Sequence, residues 1–233
     1  MIKKILEYSY KHNLGHIPSA LSMIGYLKSV FKYINRNDII IIGKPFGAQA
    51  YYVLWEELGW LDNIDGLHMG VKHEEIDFVH YSEETIGNAL GVAAGVSLTT
   101  DKKIYVNISD ACLQMGPTLE AIQFIGKNGG NILVTVDYNN SQVTGKCSDI
   151  IPVNPVIDFF RSNDWNVYES DGTCSKEADI ILNKAYKLDE PTVIFFKTEK
   201  GYGIERMKGN EWHYKKIESE MELQSLVEEL QVI

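Results

Sequence analysis

Cysteine is scarce in this 233-residue chain: Cys112, Cys147 and Cys174 are odd in number, widely spaced and outside any metal-ligand pattern. That excludes a disulfide framework and a cysteine-rich zinc site, and the three read as reduced thiols. Positive charge is also in deficit, with 22 Lys and Arg against 32 Asp and Glu and a formal net charge of -10. With no basic cluster to offset it, this balance opposes nonspecific binding to nucleic acid or anionic membrane surfaces. Long apolar runs are missing as well. The longest weakly polar stretch, Ile86 to Leu98, is too short to span a bilayer and contains Asn88. The opening MIKKILEYSYKHN is charged at helical spacing and has neither a secretory apolar core nor a cleavage site, so a soluble cytoplasmic protein is expected. No Gly-x-Gly-x-x-Gly follows a strand pattern, which argues against a dinucleotide-binding dehydrogenase. Repeats, low-complexity tracts and linkers are absent, and residues 1–233 read as one domain large enough for its own core.

What is present is alternation of strand and helix patterns. Helix signals cover Lys3 to Lys11 and Ser19 to Tyr33, with Ser19 placed to cap the second helix after Pro18. Asp38 to Ile42 is a continuous apolar run suited to a strand buried on both faces. A helix over Ala48 to Leu58 follows, then a polar connection holding His68, His73 and His80. Thr85 to Thr100 reads as an apolar helix in which Gly87, Gly91 and Gly95 recur every four residues, a stripe that admits close backbone approach. Beyond it the spacing predicts strands at 104–108, 132–137, 165–169 and 192–197, and helices at 117–126, 155–162 and 176–187. This order predicts an α/β fold, a doubly wound, mostly parallel sheet with helices on both faces. Ile217 to Leu230 forms a short acidic amphipathic tail.

The carboxyl ends of parallel strands are where open α/β sheets bind ligands. Asp110 and Asn139 sit just past two such ends and would face one crevice if the strands 104–108 and 132–136 are neighbours. Two hard oxygen ligands of this kind suit Mg2+. An Asp and an Asn also favour such turns for purely local reasons, so the pair alone does not decide the matter.

Five segments extend the signal. Gly15-His16-Ile17-Pro18-Ser19-Ala20-Leu21-Ser22, KPFGAQAYYVLWEELGW from Lys44, ETIGNALGVAAGVSL from Glu84, Ser109-Asp110-Ala111 with the pair Asn139-Asn140, and PTVIFFKTEKGYG from Pro191 followed by Glu211-Trp212-His213 occur in an order and spacing that resemble the transketolase family over residues 14 to 215. The resemblance implies the thiamine diphosphate-binding fold, with thiamine diphosphate and Mg2+ as cofactors and Ca2+ or Mn2+ as possible substitutes. It implies that Asp110, Asn139 and the Ser141 carbonyl hold the metal, and that Ala111, Lys200 and His213 contact the diphosphate. Ile86 would lie against the aminopyrimidine, with Glu84 beside the cofactor. His16 and His213 would serve proton transfer at substrate hydroxyls, a task suited to imidazole, and His68 or His73 is a further channel candidate. His12 and His80 read as surface residues.

A whole transketolase polypeptide adds pyrimidine-binding and C-terminal domains after this segment. The resemblance therefore implies a split enzyme that transfers a two-carbon unit from a ketose-type donor to an aldehyde or sugar acceptor. Its partner would be a C-terminal transketolase-like subunit in an α2β2 heterotetramer. Departures from the family pattern bear on substrate. Ser109 and Ala111 replace glycines around Asp110, Met115 stands where the family has a Glu of a proton relay, Phe46 replaces a His, and Glu84 replaces a glycine. Phe46 would make the channel drier, which would suit a less hydroxylated donor such as pyruvate, or an acceptor such as a modified sugar. Two further readings remain: a subunit of an alpha-keto acid decarboxylase or acyloin-forming ligase, and a non-catalytic scaffold.

Overall fold

The computed structural model describes residues 1–230. Six strands form one parallel sheet: β1 (Ile39–Ile42), β2 (Tyr81–Ser82), β3 (Ile104–Ser109), β4 (Ile132–Tyr138), β7 (Asn166–Asp171) and β8 (Thr192–Lys197), in the order β2-β1-β3-β4-β8-β7. The central strands are apolar on successive residues because both faces are covered. Ile40, Ile42, Tyr105, Leu133, Ile194 and Phe196 point into one core, while Ile41, Val106, Val134, Val136, Val193 and Phe195 point into the other. The first core is closed by α1 (Ile2–Lys11), α2 (Ile17–Val30), α3 (Gln49–Glu57), α8 (Ser175–Ala185) and α9 (Glu220–Glu229). The second lies under α4 (Ala89–Ser97), α5 (Gly116–Asn128) and α7 (Asn154–Ser162). The expected two-faced α/β architecture is therefore observed, and no helix among the described residues is long and apolar enough to cross a membrane.

Several local expectations are corrected. Ser19 does not cap α2. The helix begins at Ile17, with Pro18 in its first turn and His16 (φ 56°) at the cap position, and Ser19 already donates its backbone N–H to the His16 carbonyl at 3.1 Å. Pro18 fits there because the first turn has no partner for its missing N–H. The helix expected from Thr85 starts only at Ala89. Gly87 stands outside it at φ +116°, where a Cβ would lie 2.7 Å from the Met115 Cβ. The buried Glu83 carboxylate accepts the N–H groups of Gly87 and Asn88 at 3.0 and 2.8 Å, holding the chain in that turn. Among the described residues no other backbone approaches Gly91 or Gly95, and a Cβ at either would meet open space. The two-residue edge strand β2 falls inside the polar connection, too short to show a period. So do the small antiparallel pair β5 (Ser141–Gln142) and β6 (Gly145–Lys146) and the single turn α6 (Cys147–Ile150) in the loop after β4.

Gly25 in α2 is required by contact. A Cβ there would sit 2.1 Å from the Gly172 carbonyl oxygen in the turn between β7 and α8. Gly25→Ala should destabilise the chain by about 1–3 kcal/mol, as overpacking usually does, read as a lower urea midpoint. An unchanged midpoint would show that the turn yields freely.

Candidate functional site

β3 and β4 run side by side with Ser109 opposite Asp137, so Asp110 and Asn139 leave the sheet as neighbours. After β3 the chain tightens into a 3-10 turn over Asp110–Gln114, which keeps the Asp110 side chain at 0% exposure under the following loop. After β4, Asn140 takes the left-handed conformation (φ 57°) and aims its backbone N–H at Asp110 Oδ2, 2.5 Å away. Asn tolerates that conformation better than most residues. Its own side chain pins Ser148 through bonds of 2.8 and 3.0 Å. Asn139 makes an Asx turn, accepting the Ser141 N–H on Oδ1 at 2.9 Å.

One atom in this arrangement is left over. Asp110 Oδ1 is buried and, among the described residues, has no hydrogen-bond partner. Burial, and next the nearby Asp137 carboxylate, push the Asp110 pKa up to about 6, against the opposing bond from the Asn140 N–H. An unpartnered buried carboxylate oxygen is costly unless something else satisfies it. A hard divalent cation would do so, and the Asn139 amide oxygen and Ser141 carbonyl, which flank the Asn140 N–H that meets Asp110, are oxygen donors it could also take. Among the described residues no three His, Cys, Asp or Glu side chains cluster to hold a metal.

Across the cleft, buried Lys200 donates from Nζ to Ser141 Oγ (3.1 Å), Asn210 Oδ1 (3.1 Å) and His213 Nδ1 (3.0 Å). Burial, then repulsion from Lys44, lowers the Lys200 pKa to about 8. Accepting at Nδ1 leaves the neutral His213 ring with its proton on Nε2, a free donor. His16 meets His213 edge-on with ring centroids 4.8 Å apart, stacks on Phe46 at 4.8 Å and meets Tyr214 at 5.1 Å. Burial is the main cause that lowers both imidazoles to about 4; the neighbouring His213 and Lys200 add to it at His16, and Lys200 at His213. The Cε1–H resonances of His16 and His213 should therefore stay fixed from pH 8 to pH 5 in a proton NMR titration. Movement of either near pH 6.5 would mean the cluster is open to water.

The structure thus brings Asp110, Ala111, Asn139, Ser141, Lys200, His213 and His16 to one edge of the sheet, beside a cavity of about 440 Å³ lined by Asn139, Asn140, Ser141, Thr198, Lys200 and Asn210. It does not bring Glu84 there. Glu83 turns inward at the end of β2, so Glu84 turns out to solvent near Lys72. There it lines a smaller cavity of about 160 Å³ with Phe46, His68 and Met69. Ile86 is half-buried against the second core. Of the two other channel candidates, His68 borders that smaller cavity and pairs with Glu75, whereas His73 bonds Ser82 at β2. His80 is exposed, and His12 pairs with Asp65. Cys112 is buried with its thiol on the Gly43 carbonyl and its pKa raised by burial to about 11, as expected of an unreactive thiol.

Sequence reasoning missed a buried ion pair at the centre of the site. Asp137 on β4 and Lys44 just after β1 form a salt bridge, and Ser22 of α2, Thr198 after β8 and Asn139 also bond the same carboxylate. A signal was there: an Asp inside ILVTVDY, a strand buried on both faces, demands a buried partner.

A parallel α/β sheet with a buried carboxylate, an Asx-turn amide, a lysine and two histidines at its carboxyl edge defines a ligand-binding domain of the open-sheet class, with its site at the strand ends. The chain belongs to the transketolase thiamine diphosphate-binding domain family, whose sequence pattern matches residues 90–227. It is 23% identical to one of the subunits of the apulose-4-phosphate transketolase of Phocaeicola vulgatus, over 91% of this chain and 85% of that one. With the 6-deoxy-6-sulfo-D-fructose transketolase subunit SqwG of a Clostridium species it shares 24% identity over 90% and 86% of the two chains. The match to mouse transketolase, at 26% identity, covers 82% of this chain but 33% of that protein. The fold agrees with that of Campylobacter jejuni transketolase at a TM-score of 0.81 and 19% identity, covering 99% of this chain and 41% of the other.

Proposed function

We propose that this chain is the diphosphate- and Mg2+-binding subunit of a two-subunit transketolase-like transferase, which moves a two-carbon unit from a ketose-type donor to an aldehyde or sugar acceptor. The observation that carries the reading is the buried, unpartnered Oδ1 of Asp110 beside the Asn139 amide, at the ends of two adjacent central strands. Asp110, Asn139 and the Ser141 carbonyl would hold the metal, with Ca2+ or Mn2+ able to replace Mg2+. Ala111, in the first turn after β3 where N–H groups lack intrahelical partners, would donate to the diphosphate together with Lys200 and His213. Ile86 would face the aminopyrimidine. When bound, thiamine diphosphate supplies an electron sink for cleavage of the donor C2–C3 bond.

The chain's own groups then position and protonate. His213, carrying its proton on Nε2 because Lys200 occupies Nδ1, would donate to a substrate oxygen. His16, neutral, stacked on Phe46 and met edge-on by Tyr214, would hold a substrate hydroxyl in a site that its aromatic neighbours keep dry. Both act as neutral hydrogen-bonding groups at neutral pH, exchanging protons with substrate hydroxyls rather than supplying a fixed charge.

The relatives that this chain matches along most of its length are named as transketolase subunits, which supports a partner polypeptide; that partner would bear the pyrimidine-binding domain, in an α2β2 assembly in the cytoplasm. Calorimetric titration of thiamine diphosphate with Mg2+ tests this, using the chain alone and mixed with a transketolase-like subunit encoded beside it. Binding that tightens with the partner and disappears in Asp110→Ala is the expected result. Folded proteins that show no heat in either mixture would overturn the assignment.

A further inference from the structure

We propose that Asp137 is a positioning residue that holds the Asn139 side-chain amide in the one orientation able to offer its oxygen as a ligand; this rests on the reading of Asp110 and Asn139 as metal ligands. Asn139 Nδ2 donates to Asp137 Oδ2 at 3.1 Å, while Asn139 Oδ1 lies on the opposite side, accepting the Ser141 N–H at 2.9 Å. Rotating the amide by half a turn would set its oxygen against the carboxylate, two acceptors face to face, and its NH2 against the Ser141 N–H, two donors face to face. The flipped state is therefore penalised at both ends, and the oxygen, one of whose two lone pairs takes the Ser141 N–H, has its second lone pair to offer a cation.

Asp137 can impose this orientation because it cannot itself move. Residues 133, 135 and 137 of β4 point toward the α2 core, and Asp137 is fully buried there. Donors from three other segments converge on it: Ser22 Oγ of α2 at 2.7 Å, Lys44 Nζ after β1 and Thr198 Oγ1 after β8. Lys44 is tied in turn to the Ser19 carbonyl at 2.9 Å and to Ser22 Oγ at 3.3 Å. The carboxylate is thus a fixed acceptor, built from the sheet interior outward, whose one remaining donor is the amide it orients. Groups that orient metal ligands in this way usually change metal affinity 10–100-fold when lost.

The test compares two uncharged pairs, so that neither leaves a buried ion alone: Lys44→Met with Asp137→Asn, which keeps an acceptor for Asn139, and Lys44→Met with Asp137→Leu, which removes it. Two readouts are taken on the full chain. One is Mn2+ affinity by electron paramagnetic resonance with saturating thiamine diphosphate. The other is the hydrogen-exchange rate of the Asn139 side-chain NH2, by NMR of asparagine-labelled protein without metal. The expected result is slow exchange in the wild type and the Asn pair, exchange at least tenfold faster in the Leu pair, and Mn2+ affinity at least tenfold weaker in the Leu pair than in the Asn pair. Equal exchange rates, or equal Mn2+ affinities, in two folded pairs would overturn the proposal. A wild type that shows the slow exchange but binds no Mn2+, either alone or mixed with its partner subunit, would instead overturn the metal reading and leave the orientation intact.

Discussion

Replacing Asp110 by Asn should make the metal-free chain more stable at neutral pH while removing the proposed metal ligand. The carboxyl is raised from its ordinary value of 3.8 to about 6, first by burial and then by Asp137. Between those two values the folded state binds more protons than the unfolded state, so stability falls as pH rises through this window and is level above it. Two pKa units correspond to roughly 3 kcal/mol, the most that relieving the buried charge can return. Thermal unfolding of Asp110→Asn and wild type, both metal-free, should differ by several degrees at pH 7.5, given about 2–4 °C per kcal/mol for a chain of this size. The difference should shrink toward zero at pH 3, where the wild-type carboxyl is protonated in the folded state and largely so in the unfolded one. Added Mg2+ with thiamine diphosphate and partner should stabilise the wild type only. A variant less stable than wild type at pH 7.5, with the same pH profile, would mean that Asp110 serves folding rather than a ligand.

Lys44→Met carries the largest expected loss of stability. The Lys44 and Asp137 side chains are 10% and 0% exposed, so the Met variant leaves a carboxylate in the interior without its counter-ion. Removing one partner of a buried pair typically costs about 3–5 kcal/mol, most of it desolvation of the charge left behind. Replacing both partners by apolar residues of similar size removes that penalty, so adding Asp137→Leu should recover most of the loss. A double-mutant cycle by urea denaturation measures this directly. If Lys44→Met alone is nearly neutral, water reaches Asp137 and the pair is not sealed.

Much of this was legible along the chain. Buried parallel strands declare themselves as runs such as IIII and ILVTV, because covering both faces removes any polar alternation. Asp110, Asn139, Lys200 and His213 could be picked out because each follows a strand or lies in the family's closing segment. Glu84 could not be placed correctly. Glu83 and Glu84 are chemically alike, and which one turns inward depends on where the two-residue strand β2 pairs with β1. The extent of α4 was misjudged for a related reason: the apolar pattern continues through Gly87, but the Glu83 carboxylate and the Met115 side chain hold that glycine outside helical space.

The sequence by itself determined the layered α/β class, the location of the site at the strand ends and the oxygen chemistry offered there. All of these follow from local periodicity and from residue types a few positions past each strand. Tertiary structure alone decided that Asp110 is buried with one oxygen unpartnered, that Lys200 occupies His213 Nδ1, and that Ser22, Lys44, Asn139 and Thr198 meet on Asp137. Several of those contacts join segments far apart along the chain. Charge burial and hydrogen-bond orientation depend on which strands lie side by side, and the order β1-β3-β4-β8 is a property of the folded sheet rather than of any single segment.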